Sequence, residues 1–288
     1  MLAMSNARSP RPHRYRALVG IPSYDGTLVG GAAFGACLWA TRYEDVELVS
    51  TDPAPGGRTG QLGRGEVTVR ISQGSLIGAT FNALWCAACD AYERDECDYF
   101  AMLHADVTPG PEWLDTLVDE LVRLDADLVA CCVPIKSDEG LTSTAIADVD
   151  DPWNIEGKLN FDELRDLPPT FSIRDTPWRG DPKKCLLVNT GCFVVDLAKA
   201  WTRETDEDGI ARFRFSVEDR IRVVVDPKTG RSQRQAQVCS EAWAMSRYLA
   251  KIGARVFATT KVAITHCGDH AWTLDRSAHA AANREASR

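Results

Sequence analysis

Apolar residues along this chain alternate between short continuous runs and longer periodic stretches. In the strand predicted over 16–22, the residues after Arg16 form an unbroken apolar run, as a strand covered on both faces requires. Similar runs predict strands at 46–50, 67–71, 99–103, 126–135, 185–188 and 192–196. Helical spacing predicts helices at 29–41, 75–94, 111–124 and 240–252. The third is the clearest, because Trp113, Leu114, Leu117, Val118, Leu121 and Val122 fall on one stripe with acids opposite. Gly253 is placed to stop the last helix. Two short strands, 255–258 and 262–264, follow, the second ending before His266. Strand–helix–strand alternation predicts an α/β fold with right-handed crossovers and a mostly parallel central sheet.

Two regions break the rhythm. Residues 136–182 are polar, rich in Pro, Asp and Trp, and weakly periodic, which reads as a functional insert. Residues 209–225 alternate apolar and polar and run into Pro227-Lys-Thr-Gly230, predicting a partly exposed β-hairpin. The organisation expected is a basic tail over 1–15, a single domain over 16–272 and a second tail over 273–288.

Composition narrows this picture. The net charge of −8 opposes a duplex-DNA binder that works by bulk charge. The charge-free run 26–41 is shorter than the roughly 20 apolar residues of a membrane span, so no integral membrane contact and a cytoplasmic location are expected. Ten cysteines suggest a metal or disulfide framework. Yet Cys86-x-x-Cys89 has no second CxxC partner, and most of the others sit in apolar runs, as small hydrophobes do. There is no GxGxxG and no GxxxxGK[ST], so a dinucleotide site or a P-loop is not indicated.

Ligands of open α/β sheets bind beyond the carboxyl ends of strands. The polar segments there are 22–26, Asp52, 104–106 and His266. Alternate residues of an extended segment share a face, so His104 and Asp106 are expected to reach one cation together. The competing reading has Asp106, with Thr108, capping the turn before the helix. Glu241 lies in the first turn of its helix, where the dipole favours a carboxylate with or without a catalytic role. Lys136 stands just past a strand end, in reach of a phosphate, and Trp153, Trp178 and Trp201 are either sugar-stacking or packing residues.

Several motifs, in order, resemble one family. They are Val19-Gly-Ile-Pro-Ser-Tyr-Asp25, then Phe100-Ala-Met-Leu-His-Ala-Asp106-Val-Thr-Pro-Gly-Pro-Glu-Trp113-Leu114, then Asn189-Thr-Gly-Cys-Phe-Val-Val-Asp196. Ser240-Glu241-Ala-Trp243, Gly253 and His266-Cys-Gly268 complete the series. This chain is similar to GT-A-fold glycosyltransferases of the large family-2 type, including phage and bacterial members. The resemblance implies a GT-A, Rossmann-like sheet with an acceptor-side insert and hairpin. It implies transfer of a sugar from a UDP- or GDP-sugar to an acceptor hydroxyl on a glycan, a protein or a modified nucleobase.

The resemblance also implies roles. Asp106 and His266 hold Mn²⁺ or Mg²⁺, with the donor nucleotide on Pro22, Ser23, Tyr24, Asp25 and Asp52. Asn82 lies near the donor phosphates, and Glu241 is the general base. His104 stands where the family's DxD motif has its first Asp; it is either a third metal ligand or a ribose contact. Two alternatives remain. A sugar-phosphate nucleotidyltransferase predicts a glycine-rich basic loop after the first strand, which 22–26 lacks. A degenerate binding module predicts loss of the metal site.

Overall fold

Alternation along the central strands sorts their side chains into two cores, one on each face of a sheet. The computed structural model describes residues 15–24, 65–153, 155–268 and 271–274. The strands and helix expected at 46–50 and 29–41, with Asp25 and Asp52, lie outside the described residues. So do 1–14 and 275–288, which hold most of both expected tails.

The main sheet has seven strands, ordered β2-β1-β3-β10-β5-β13-β8. They are β1 (Tyr15–Ser23), β2 (Gly65–Gln73), β3 (Tyr99–Leu103), β5 (Leu128–Cys131), β8 (Thr170–Phe171), β10 (Cys192–Asp196) and β13 (Val256–Thr259). β1 pairs in parallel with β2 and β3, and β13 with β5. β10 is antiparallel to both neighbours, and β8 is antiparallel to β13. The sheet is therefore mixed, and the expectation of a mostly parallel sheet is corrected. An apolar run reports burial on both faces but not direction, so β10 gave no warning of its reversal.

One face packs on α1 (Ile77–Glu93) and α4 (Glu241–Lys251), with Leu18, Phe100, Met102 and Phe193 pointing to it. Trp85 stacks on Trp201 there, ring centroids 5.8 Å apart. The Trp201 indole also donates to Asp127 at 3.0 Å, so this Trp is a packing residue. The other face takes Ala17, Val19, Ile21, Ala101 and Leu103 against α2 (Trp113–Leu124). The stripe of α2 is buried as expected except for Val122, which is 52% exposed. The fourth helix is the short α3 (Phe161–Asp166), opened by a reciprocal Asn160–Glu163 cap.

The polar stretch 136–182 is more ordered than its pattern suggests. It holds β6 (Leu141–Asp148) and β7 (Ile155–Asn160), which with β9 (Lys184–Leu187) form a three-stranded antiparallel sheet. The expected hairpin is present as β11 (Glu218–Val225) and β12 (Ser232–Cys239). A further small sheet orders β15 (Ala271–Leu274), β14 (Ile264–Cys267) and β4 (Val107–Pro109). His266 thus lies within a strand rather than beyond one, and Thr273 and Leu274 belong to β15 rather than to a tail. Of the nine described cysteines, six are buried, and all nine are free thiols.

Candidate active site

The chain does not stay extended after β3. Val107 N–H donates to the His104 carbonyl at 3.0 Å, closing a turn over 104–107. His104 and Asp106 therefore do not share one strand face, although both line the same cleft. β4 begins at the next residue and pairs with β14, with Val107 opposite His266. Cys267 N–H donates to the Asp106 carbonyl at 2.8 Å. Strand register, rather than proximity in sequence, thereby seats Asp106 beside His266.

Their side chains meet. His266 Nε2 is 3.3 Å from Asp106 Oδ2, and Lys136 Nζ is 2.5 Å from the same oxygen. Asp106 is thus engaged with these two groups and does not cap the following helix, which has no side-chain cap. His266 Nδ1 lies 2.7 Å from the Pro134 carbonyl. A carbonyl has no proton to give, so Nδ1 carries the hydrogen. Nε2 then faces the carboxylate either as an imidazolium N–H or as a bare lone pair. Burial alone would raise the Asp106 carboxyl. Hydrogen bonds from His266 and Lys136, with their charges, outweigh it and hold the group well below the usual carboxylate range.

The cleft has a volume of about 310 Å³. Pro22, Ser23 and Tyr24 at the end of β1 line it, with Phe81, His104 and Asp106 opposite. Tyr24 is largely exposed and free to cover a ligand, while Ser23 is buried. The His104 ring leans on Phe81 at 5.3 Å between centroids, and its covered Nε2 has no hydrogen-bond partner. Burial pushes its pKa down to about 4, so the ring is neutral at physiological pH. Among the described residues, no three His, Cys, Asp or Glu side chains gather as a metal cluster.

Asn82 is not brought into the cleft. Its amide donates to the Phe215 carbonyl and accepts from the Phe215 N–H, both at 2.8 Å, tying α1 to the strand-like segment before the hairpin.

The reversed β10 supplies the other side of the site. His104 N–H donates to the Gly191 carbonyl at 2.9 Å. The Asn189 side chain holds this bend, accepting from Gly191 N–H at 2.7 Å and donating to the Cys131 carbonyl at 2.8 Å. Next to it, Thr190 Oγ1 donates to Glu241 Oε1 at 3.4 Å. Ser240 caps α4, so Glu241 starts the helix and is 9% exposed. Burial raises the Glu241 carboxyl, and the contacts from its own backbone and from Thr190 offset this only in part. The roles of Lys136, Pro134 and Thr190 in this cluster need the folded chain. Lys136, poised past a strand end, and Thr190, within the Asn189–Asp196 motif, carried a signal in sequence, and Pro134 did not.

No protein-family profile matches this chain, and no curated protein matches it. Among solved structures it is similar to A197 from STIV, at 10% identity over 88% of this chain and 86% of that one, with a TM-score of 0.44. Among the described residues, no helix is long and apolar enough to cross a membrane.

Proposed function

We propose that this chain is a GT-A-type glycosyltransferase that moves a sugar from a nucleotide-diphosphate sugar to an acceptor hydroxyl. The observation that carries this reading is the Asp106–His266 pair. It stands at the end of a central strand on the rim of a ligand-sized cleft, one hydrogen-bonded bend away from the buried carboxylate Glu241. The ordered motifs of the sequence support the same reading.

The donor set suits a divalent cation. With Nδ1–H committed to Pro134, a cation that displaces the Nε2 proton would meet the Nε2 lone pair and a carboxylate oxygen together, and a ligating His held by a carbonyl is the usual arrangement. Carboxylate with imidazole fits Mn²⁺, and Mg²⁺ acceptably. Such a cation, held by Asp106 and His266, supplies positive charge where the leaving diphosphate accumulates negative charge. Ser23 and Tyr24 border the space for the nucleotide, and the His104 ring lines it. Glu241, raised by burial, accepts the proton of the acceptor hydroxyl.

A second reading rests on Lys136. Its ammonium already lies on Asp106 and can itself neutralise the departing diphosphate, with no divalent cation needed. One screen tests both. Hydrolysis and transfer from UDP- and GDP-sugars are measured with Mn²⁺, with Mg²⁺ and with chelator. Turnover abolished by chelator supports the cation reading, and chelator-insensitive turnover lost in Lys136→Ala supports the second. No binding or turnover of any donor under all conditions would refute the transferase assignment.

A further inference from the structure

A second cavity, of about 290 Å³, opens on another flank of α4. Ala244, Arg247, Tyr248 and Lys251 line it and recur at helical spacing, so they make one stripe. Arg212 and Arg214 reach it from the segment before β11. Phe213 and Phe215, between and after these arginines, are 3% and 2% exposed and anchor that segment in the core. Alternation then turns both arginines the opposite way.

The cations are positioned by the fold. Arg247 is 4% exposed, and its Nε and Nη2 donate to the carbonyls of Asp148 and Asp151 at 2.9 and 3.1 Å. Arg212 Nε donates to the Thr205 carbonyl at 3.2 Å. Lys251 has a 3.5 Å contact with Asp150, and Arg214 has no hydrogen bond or ion pair among the described residues. One carboxylate, Glu218, lines the cavity against four cations, in a chain whose net charge is −8.

We propose that this cavity binds a phosphate group, as free phosphate or as a phosphate monoester. A tetrahedral oxyanion presents several acceptors at once, matching the exposed guanidinium forks of Arg212 and Arg214 and the Lys251 ammonium. None of these side chains belongs to the Asp106–His266 cleft, so the cavity serves this role whatever the cleft turns over.

The test is calorimetric titration of the intact chain with inorganic phosphate and with glucose 1-phosphate, at low salt and near neutral pH. Saturable binding is expected. Arg214→Ala weakens it by about tenfold and Arg212→Ala by about fivefold, with thermal unfolding of Arg214→Ala unchanged. Asp106→Ala leaves phosphate affinity at the wild-type value. Tighter binding of glucose 1-phosphate identifies an ester-borne phosphate, and equal affinity identifies free phosphate; either supports the proposal. No saturable binding of either probe overturns it. So does wild-type affinity in both Arg214→Ala and Arg212→Ala, which would place the phosphate elsewhere.

Discussion

Glu120 is a buried carboxylate on α2 that fastens the helix to the approach of β14. It accepts from Arg123 Nη2 at 2.7 Å and from Lys261 Nζ at 2.6 Å. Lys261 leads into the strand that carries His266. The Glu120 side chain is 5% exposed, so these charges are only weakly screened on its side. Burial raises the carboxyl, but the hydrogen bonds from Arg123, Lys261 and Thr170 win and bring it from 4.5 down to about 2. A difference of that size corresponds to about 3 kcal/mol of stability at neutral pH. The folded value lies below the unfolded one. The contribution is therefore complete above about 4.5 and is lost as pH falls toward about 2. Glu120→Gln keeps the volume and removes the charge. Urea unfolding followed by tryptophan fluorescence, on wild type and variant at stepped pH, isolates this group from the other carboxylates. The expected stability gap is about 2–3 kcal/mol at neutral pH, closing as pH drops through that window. A gap that does not change with pH, or one below about 0.5 kcal/mol at neutral pH, would refute this account.

Three further outcomes are expected. A Cβ on Gly20 would meet Leu84 Cδ1 and Phe100 Cε2, each at 3.1 Å, so Gly20→Ala should lose about 1–3 kcal/mol by overpacking, read as a lower urea midpoint. Asp106→Ala should abolish cation-dependent nucleotide-sugar binding in a calorimetric titration; affinity equal to wild type would remove the cation assignment. Glu241→Gln should spare donor binding and lower kcat by about 10²–10⁴-fold. Because Glu241 must be deprotonated to act and burial raises it, the acid limb of the wild-type kcat profile should sit above 4.5. A profile without that limb would show that Glu241 takes no proton.

The parts of the fold readable in sequence were those where bulk and period agree. β3 and β10 occupy the residues their apolar runs mark, and Gly253 ends α4 with φ of 73°. The segment 136–182 hid its strands because the buried positions of β6 are Thr142, Thr144, Ala145, Ile146 and Ala147, mostly small or hydroxylic. Thr142 satisfies its hydroxyl on the Leu159 carbonyl at 2.8 Å, a partner invisible in one strand. In the site, Asp106, His266 and Glu241 stood out by residue type and order. Pro134 did not, since it contributes through a backbone carbonyl that every residue possesses, and the Asn189–Asp196 motif marked Thr190 without indicating its contact with Glu241. Asn82 shows the converse: a polar side chain in a suggestive place, engaged with backbone.

The reversal of β10 also bears on when the molecule becomes itself. β3 and β5 are not neighbours; each pairs with β10, which lies between them. On a chain emerging from the ribosome, residues through 131 present two sheet edges that wait some sixty residues for the strand that joins them. Closing that gap is a long-range event, which slows folding and leaves unpaired edges open to association meanwhile. The bend at 189–191 arrives with the same strand, while Glu241, β13 and His266 lie farther along the chain, so the Asp106–His266 contact forms later still.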